Sequence, residues 1–209
     1  MFEKILIANR GEIARRIIHV CKRMGVKTVA VYSDADEKLP FVKEADEAVR
    51  LGAAPPKESY LNTQALLDAA KKTGAQGIHP GYGFVSENAE FARAVHAAGI
   101  TFIGPPPEAM TRMKDKSEAR RLVAAAGVPI VPGSNGLVED ASKAAAEAER
   151  IGYPVLVKAA GGGGGIGMTV ANTAADLEKA FRASADRARS AFGREGVYLE
   201  RYFPAPRHI

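Results

Sequence analysis

Short apolar runs rich in β-branched residues alternate along this chain with Ala-, Arg- and Glu-rich stretches at helical spacing. Residues 4–8 have the pattern of a short buried strand. Over residues 12–24 the apolar positions Ile13, Ile17, Val20 and Cys21 recur at steps of three and four. That spacing predicts a helix with those four on its inner face and Gly25 as its stop. Residues 26–32 are again strand-like. Residues 62–73 predict a helix that buries Leu66, Leu67 and Ala70 and closes at Gly74. A short strand at 77–79, a helix at 88–98 ended by Gly99, and a strand at 101–103 follow. Strands and helices alternating through short Gly-containing joints imply parallel strands with crossover helices, an open α/β sheet. Such sheets bind ligands at the carboxyl ends of their strands. Asn9-Arg10-Gly11 and Pro80-Gly81-Tyr82-Gly83 fall at that edge.

The segment Gly104-Pro105-Pro106-Pro107 marks a boundary, because three prolines stiffen the chain and stop a helix from running through them. Beyond it, residues 109–126 read as helices and 128–133 as an extended stretch. A helix capped by Asp140 is expected at 140–150, and a strand at 154–159. Strands at 168–171 and 197–201 flank a long helix at 174–192. This second part has the mix of an α+β unit.

Composition narrows the function classes. The 209 residues are 46% hydrophobic and 25% charged, as in a globular protein of one or two domains. The one cysteine, Cys21, excludes an internal disulfide and a Cys-rich zinc site, and its place on an apolar helix face makes it core. No apolar run approaches the roughly 20 residues of a membrane span. The first residues lack the layout of a signal peptide and read as a strand, so a cytoplasmic location is expected. The net charge of +5 invites nucleic acid, but lysines and arginines sit beside acids, as in Glu147-Ala148-Glu149-Arg150. There is no basic run and no Trp, so an anionic small molecule suits the charge better. The histidines His19, His79, His96 and His208 form no metal-ligand pattern, and no Gly-x-Ser-x-Gly occurs.

The strongest chemical signal runs from Val155 to Met168. A strand delivers Lys158, five consecutive glycines follow at Gly161 to Gly165, and a strand resumes. Glycines let the backbone adopt positive φ and present several N–H groups to one anion. Lys158 adds a point charge where phosphate oxygens would lie. This is neither a Walker loop nor a dinucleotide fingerprint, since the run leads into a strand and no Gly-Lys-Ser/Thr follows. The bland alternative is a connecting hairpin, which would rarely carry the ordering entropy of five glycines. The strand at 197–201 can offer backbone groups to a purine edge or be plain core. The segment from Gly77 to Asn88 places two glycines around Tyr82, allowing close approach of a ligand. Its alternative is a turn whose Tyr82 and Phe84 pack between domains, with Ser86 or Asn88 capping the next helix.

Several ordered segments resemble the biotin carboxylases of biotin-dependent carboxylases. They are Ile5 to Ala14, Ile78 to Asn88, Phe102 to Pro105, Met113 to Lys116, Gly127 to Gly133, Gly152 to Pro154, Lys158 to Met168 and Tyr198 to Ile209. The resemblance implies a Rossmann-like N-terminal domain with an open parallel sheet over residues 1–113. An incomplete ATP-grasp α+β region would span 114–209, with its lid subdomain at about 132–203. It implies carboxylation of carrier-bound biotin by bicarbonate and ATP through carboxyphosphate. Lys116 and Lys158 resemble the lysines that hold ATP phosphates, and Gly162, Gly163, Gly164 and Gly165 the lid over them. Glu200, Arg201 and Phe203 resemble the backbone that meets adenine, and His208 a nucleotide-pocket histidine. Tyr82 and Gly83 correspond to the biotin side.

Two departures from the family pattern are Ile166, where many members have Arg, and Pro204, where many have a charged residue. The Mg²⁺ ligands and bicarbonate residues are expected beyond residue 209, so the 209 residues alone are expected to be inactive. Implied partners are a biotin carboxyl carrier, a carboxyltransferase such as that of acetyl-CoA carboxylase in fatty acid biosynthesis, and a second copy in a homodimer. No nucleic acid or membrane is implied. The alternatives are a non-catalytic nucleotide-binding or dimerisation module derived from a biotin carboxylase, or another ATP-grasp ligase.

Overall fold

The computed structural model describes residues 1–114, 116–159, 167–193 and 196–207, without the side chains of Lys116, Ser117 and Phe192. The chain divides into two compact units, Met1–Glu118 and Ala119–Ile209.

The first unit runs β1 (Lys4–Ile7), α1 (Gly11–Met24), β2 (Lys27–Ser33), α2 (Pro40–Glu44), β3 (Glu47–Gly52), α3 (Thr63–Thr73), β4 (Gly77–His79), α4 (Ala89–Ala97), β5 (Thr101–Phe102) and α5 (Pro107–Lys114). Its five strands pair in parallel in the order β3-β2-β1-β4-β5. The chain starts mid-sheet, builds outward one way and then returns to build the other way. The order therefore reverses between β1 and β4, which opens a crevice beyond their carboxyl ends. Both faces are covered, as parallel strands require. Ile5 and Ile7 join Ala14, Ile18, Cys21 and Phe41 on the α1 and α2 side. Leu6 and Ala8 join Leu66, Phe91 and Val95 on the α3 and α4 side. The Asn62 and Asn88 side chains cap α3 and α4, and Gly25 and Gly74 end α1 and α3 in the left-handed conformation.

Three details differ from the sequence reading. Val20 is exposed, because α1 buries Ala14, Ile18 and Cys21, an i, i+4, i+7 stripe, and leaves Ile13 and Ile17 at its margin. Pro107 opens α5 instead of stopping a helix. The first-turn N–H has no partner within the helix, so proline costs nothing there. The edge strand β3 and the short α2 have no counterpart in the sequence expectations.

The division between units falls within α6 (Lys116–Ala125). The second unit continues with α7 (Ala141–Ile151), β6 (Val155–Ala159), β7 (Met168–Ala171), α8 (Ala174–Phe192) and β8 (Val197–Arg201). Its strands form an antiparallel sheet in the order β7-β6-β8. Val155, Val157, Val197 and Leu199 pack on Ala144 and Ala148 of α7 and on Leu177 and Phe181 of α8. Strand periodicity then turns Leu156, Lys158, Tyr198 and Glu200 to the opposite face. Asp140 caps α7 by accepting from the Lys143 N–H. Residues 132–138 lie along β8, with Gly133 bridging Glu200 and Val138 bridging Val197. The fold is thus an α/β parallel-sheet unit followed by an α+β unit with an antiparallel sheet, as the sequence predicts. Among the described residues no helix is long and apolar enough to cross a membrane.

Candidate functional site

At the reversal between β1 and β4, the first unit holds a cleft of about 520 Å³ lined by residues 9–13, Leu39 and residues 82–84. Asn9 follows β1 and is fully buried. Its Nδ2 donates to the carbonyls of Pro80 (2.8 Å) and Tyr82 (2.9 Å), and its Oδ1 accepts from the Arg10 N–H. One side chain thereby shapes the turn that carries Tyr82 and Gly83. Gly81 is held at φ +65°, and a Cβ there would lie 2.7 Å from both Asn9 Nδ2 and Ile13 Cγ2. No larger residue fits. His79 Nδ1 accepts from the Gly81 N–H, and burial pushes that imidazole down, so its neutral form carries the proton on Nε2.

Arg10 donates to both oxygens of Asp36 at 3.0 Å. Buried Asp36 also accepts from Tyr60 (2.6 Å) and Ser33 (3.1 Å). Burial opposes the Asp36 charge, but these donors outweigh it and hold the carboxyl below its usual range. The Tyr60 phenol, buried and donating to Asp36, is pushed up to about 12. Its ring stacks on Phe84 at 5.1 Å, and Phe84 takes φ +43°, a conformation rare for an aromatic residue. Tyr82 is 68% exposed and Gly83 sits at φ +71°. Sequence reasoning missed the Arg10–Asp36–Tyr60 network. Its available signal was an acidic residue, Asp36, three positions past the carboxyl end of β2, the strand beside β1.

In the second unit Lys158 sits on β6 and forms an ion pair with Glu200 on β8. The other Glu200 oxygen lies 3.9 Å from Arg120 Nη1. The Arg120 guanidinium lies over the Tyr198 ring at 5.3 Å. Burial pushes the Tyr198 phenol up, and the Arg120 charge pulls the other way. Arg201 donates its N–H to the Pro132 carbonyl, and Tyr202 donates to Pro154. The Arg201 guanidinium covers Gly152, where a Cβ would lie 2.4 Å from Nη1. Phe203 is half-exposed beyond the strand. Lys116 is the first residue of α6, and its side chain lies outside the described residues. Gly162, Gly163, Gly164, Gly165 and His208 lie outside them altogether. Of the residues singled out from sequence, the structure brings together Lys158 and Glu200 in one unit and Tyr82 and Gly83 in the other. Arg120 and Tyr198 were not singled out, because Arg120 comes from α6, far from β8 in sequence, and only the folded unit sets it over Tyr198 and beside Glu200.

Residues 1–110 match the family model of the biotin carboxylase N-terminal domain. The chain belongs to the biotin carboxylase family. Residues 115–209 match the ATP-binding domain of the carbamoyl-phosphate synthase L chain. The alpha subunit of mitochondrial methylcrotonoyl-CoA carboxylase from Glycine max is 52% identical over 207 residues, covering 99% of this chain and 28% of that protein. Biotin carboxylase from Pseudomonas aeruginosa is 51% identical over 210 residues, covering all of this chain and 47% of that enzyme. The crystal structure of the biotin carboxylase domain dimer of Hydrogenobacter thermophilus 2-oxoglutarate carboxylase, in complex with MgADP, ADP and bicarbonate, is 45% identical. It has a TM-score of 0.78 and covers 98% of this chain and 45% of that one. The chain therefore spans less than half the length of these biotin carboxylase relatives. Among the described residues, no group of three or more His, Cys, Asp or Glu is placed to hold a metal ion.

Proposed function

We propose that these residues supply the phosphate grip and the biotin-side turn of a biotin carboxylase, which carboxylates carrier-bound biotin with bicarbonate and ATP through carboxyphosphate. The observation that carries this reading is the placement of Lys158. It stands on the sheet face opposite α7 and α8, at the end of β6 that leads into the glycine run, with Glu200 as its counter-ion. Phosphoryl transfer needs positioning and charge neutralisation more than covalent help. An ammonium parked on a carboxylate is held ready and can be drawn to phosphate oxygens. Lys116 and Gly162 to Gly165 would complete the grip. Glu200, Arg201 and Phe203 would present backbone to adenine, and His208 would sit in the nucleotide pocket. Tyr82 and Gly83 would face biotin, supported by the cleft beside them.

The domain division we propose lies between residues 113 and 114, with a lid over about 132–203, supported by the end of α5 at Lys114. Among the described residues no group of acidic or histidine side chains is placed to hold magnesium. ATP, bicarbonate and biotin are proposed as the substrates, supported by the nucleotide and bicarbonate named for the Hydrogenobacter thermophilus structure. The partners in this reading are a biotin carboxyl carrier, a carboxyltransferase that chooses the carboxyl acceptor, and a second copy of the chain. A cytoplasmic location is part of the proposal, and fractionation of the native host decides it. A different ATP-grasp ligase gains support only from the match over residues 115–209, whereas residues 1–110 match the biotin carboxylase model.

Titration with ATP followed by NMR, which reads even millimolar affinities, tests the proposal. Lys158→Gln removes a charged hydrogen bond of about 1.5–3 kcal/mol, so affinity should fall roughly 10- to 150-fold. Unchanged affinity would remove the phosphate role of Lys158. The 209 residues by themselves are expected to show no bicarbonate-dependent ATP hydrolysis, and measured turnover would overturn that part.

A further inference from the structure

Glu200 faces two cations. Its Oε2 is paired with the Lys158 ammonium, and its Oε1 lies 3.9 Å from Arg120 Nη1. The three side chains are only 19–29% exposed, so water screens them less than a surface pair. The two cations differ in freedom. Lys158 reaches Glu200 along a flexible four-carbon stem, whereas the Arg120 guanidinium lies over the Tyr198 ring, 5.3 Å from its centroid. Space for Arg120 beside Tyr198 depends on Gly133. A Cβ at that position would lie 2.6 Å from the Tyr198 hydroxyl and 3.0 Å from Arg120 Nη2. The Tyr198 hydroxyl is buried with no well-formed hydrogen bond among the described residues, and the Arg120 guanidinium lies over its ring.

We infer that Arg120 is a positioning residue that sets how tightly Glu200 holds the Lys158 amine before a phosphate arrives. The inference rests on the phosphate-binding reading of Lys158 given above. A carboxylate shared between two cations grips each less firmly than it would grip one. When a polyphosphate draws the Lys158 amine away, Glu200 would otherwise be left as an unpaired, partly buried anion facing another anion. Arg120 keeps it neutralised. Removing Arg120 therefore hurts twice: Lys158 is clamped harder, and the vacated carboxylate repels the phosphates.

Acylation by an N-hydroxysuccinimide ester, read at Lys158 by peptide mass spectrometry, reports the freedom of the amine without any nucleotide. Arg120→Met should slow modification of Lys158 about two- to five-fold, the effect of one partly screened charge pair. Glu200→Gln should speed it. The double variant should match Glu200→Gln, because Arg120 acts only through that carboxylate, and Arg120→Lys should restore most of the original rate. An unchanged rate in Arg120→Met overturns the inference. So does a faster rate at Lys158 together with its neighbouring lysines, the result of a merely structural role. In a parallel NMR titration, Arg120→Met should weaken tripolyphosphate binding by a similar factor and leave adenosine unaffected. If the wild-type chain binds no tripolyphosphate while the acylation pattern holds, the phosphate reading fails and the charge-sharing stands. If tripolyphosphate binds but the acylation pattern is missing, the phosphate reading survives and the inference falls.

Discussion

Replacing Asn9 tests whether a single buried amide shapes the turn beside the cleft. Its Nδ2 donates to Pro80 at 2.8 Å in the interior and to Tyr82 at 2.9 Å in partly buried surroundings. Asn9→Ala strands one fully buried carbonyl, at about 1–3 kcal/mol, and a second for which water can compensate more easily, at about 1 kcal/mol. The expected loss is about 2–4 kcal/mol. Amide exchange of peptides from β1 and β4 reads this locally, and such a loss corresponds to exchange about 30- to 700-fold faster. Asn9→Asp sharpens the test. It keeps the acceptor for the Arg10 N–H but aims a carboxylate oxygen at two carbonyl oxygens in a site with no solvent exposure. Burial and those carbonyls would raise the folded carboxyl above its unfolded value of about 3.9. A raised acid costs stability once pH climbs above the unfolded value. Asn9→Asp should therefore be worse than Asn9→Ala at pH 7 and recover below about pH 4, where the neutral carboxyl can donate one bond. Exchange rates within a factor of two of wild type for Asn9→Ala, or pH-independent damage in Asn9→Asp, would refute the reasoning.

The Tyr60 phenol, pushed up to about 12, stabilises the fold while neutral. That contribution is complete below the unfolded value of about 10 and lost as pH rises towards 12. Burial also raises the Tyr153 and Tyr198 phenols, so ultraviolet titration should show several of the six tyrosines ionising late, and Tyr60→Phe should remove one tyrosine from the end of that late limb. Asp36 runs the other way: its carboxyl is held down, so its contribution is present above about 3.9 and lost as pH falls further. Tyr60→Phe should flatten this acid limb of the urea midpoint, and an unchanged limb would deny the hydrogen bond its role. Gly133→Ala sets a methyl 2.6 Å from the Tyr198 hydroxyl and 2.8 Å from the Leu199 carbonyl. A loss of about 1–3 kcal/mol is expected, read as a lowered melting temperature of the second unit.

The parts of the fold that were legible in the sequence are those whose signals are local. Asn62 and Gly74 bracket α3, Asn88 starts α4, and β7, α8 and β8 carry their own periodicity. β3 escaped because Glu47–Gly52 is an edge strand whose residues are half or fully exposed, so burial never wrote an apolar run into it. Val20 misled because size outweighs position in a spacing count, whereas small Ala14 is fully buried. At the site, Lys158 announced itself through the glycines. Arg120 did not, since it comes from α6, far from β8 in sequence, and meets Glu200 only once the second unit is folded. Likewise Arg10, Asp36 and Tyr60 meet because β1 and β2 are neighbours, a fact of topology and not of any short motif.

Residues 132–138 lie against β8 through four main-chain bonds, from Ser134 to Leu199, between Val138 and Val197 in both directions, and from Arg201 to Pro132. The Ser134 hydroxyl accepts from Leu199 as well. An exposed strand edge is a template on which another polypeptide can pair and aggregate. Here the sheet edge nearest Glu200 is already occupied by the protein's own backbone, irregular enough that it does not extend the sheet as a new regular edge. An incoming strand would have to peel that strap away first. The same segment that leaves room for Arg120 at Gly133 thus acts as a guard against self-association along β8.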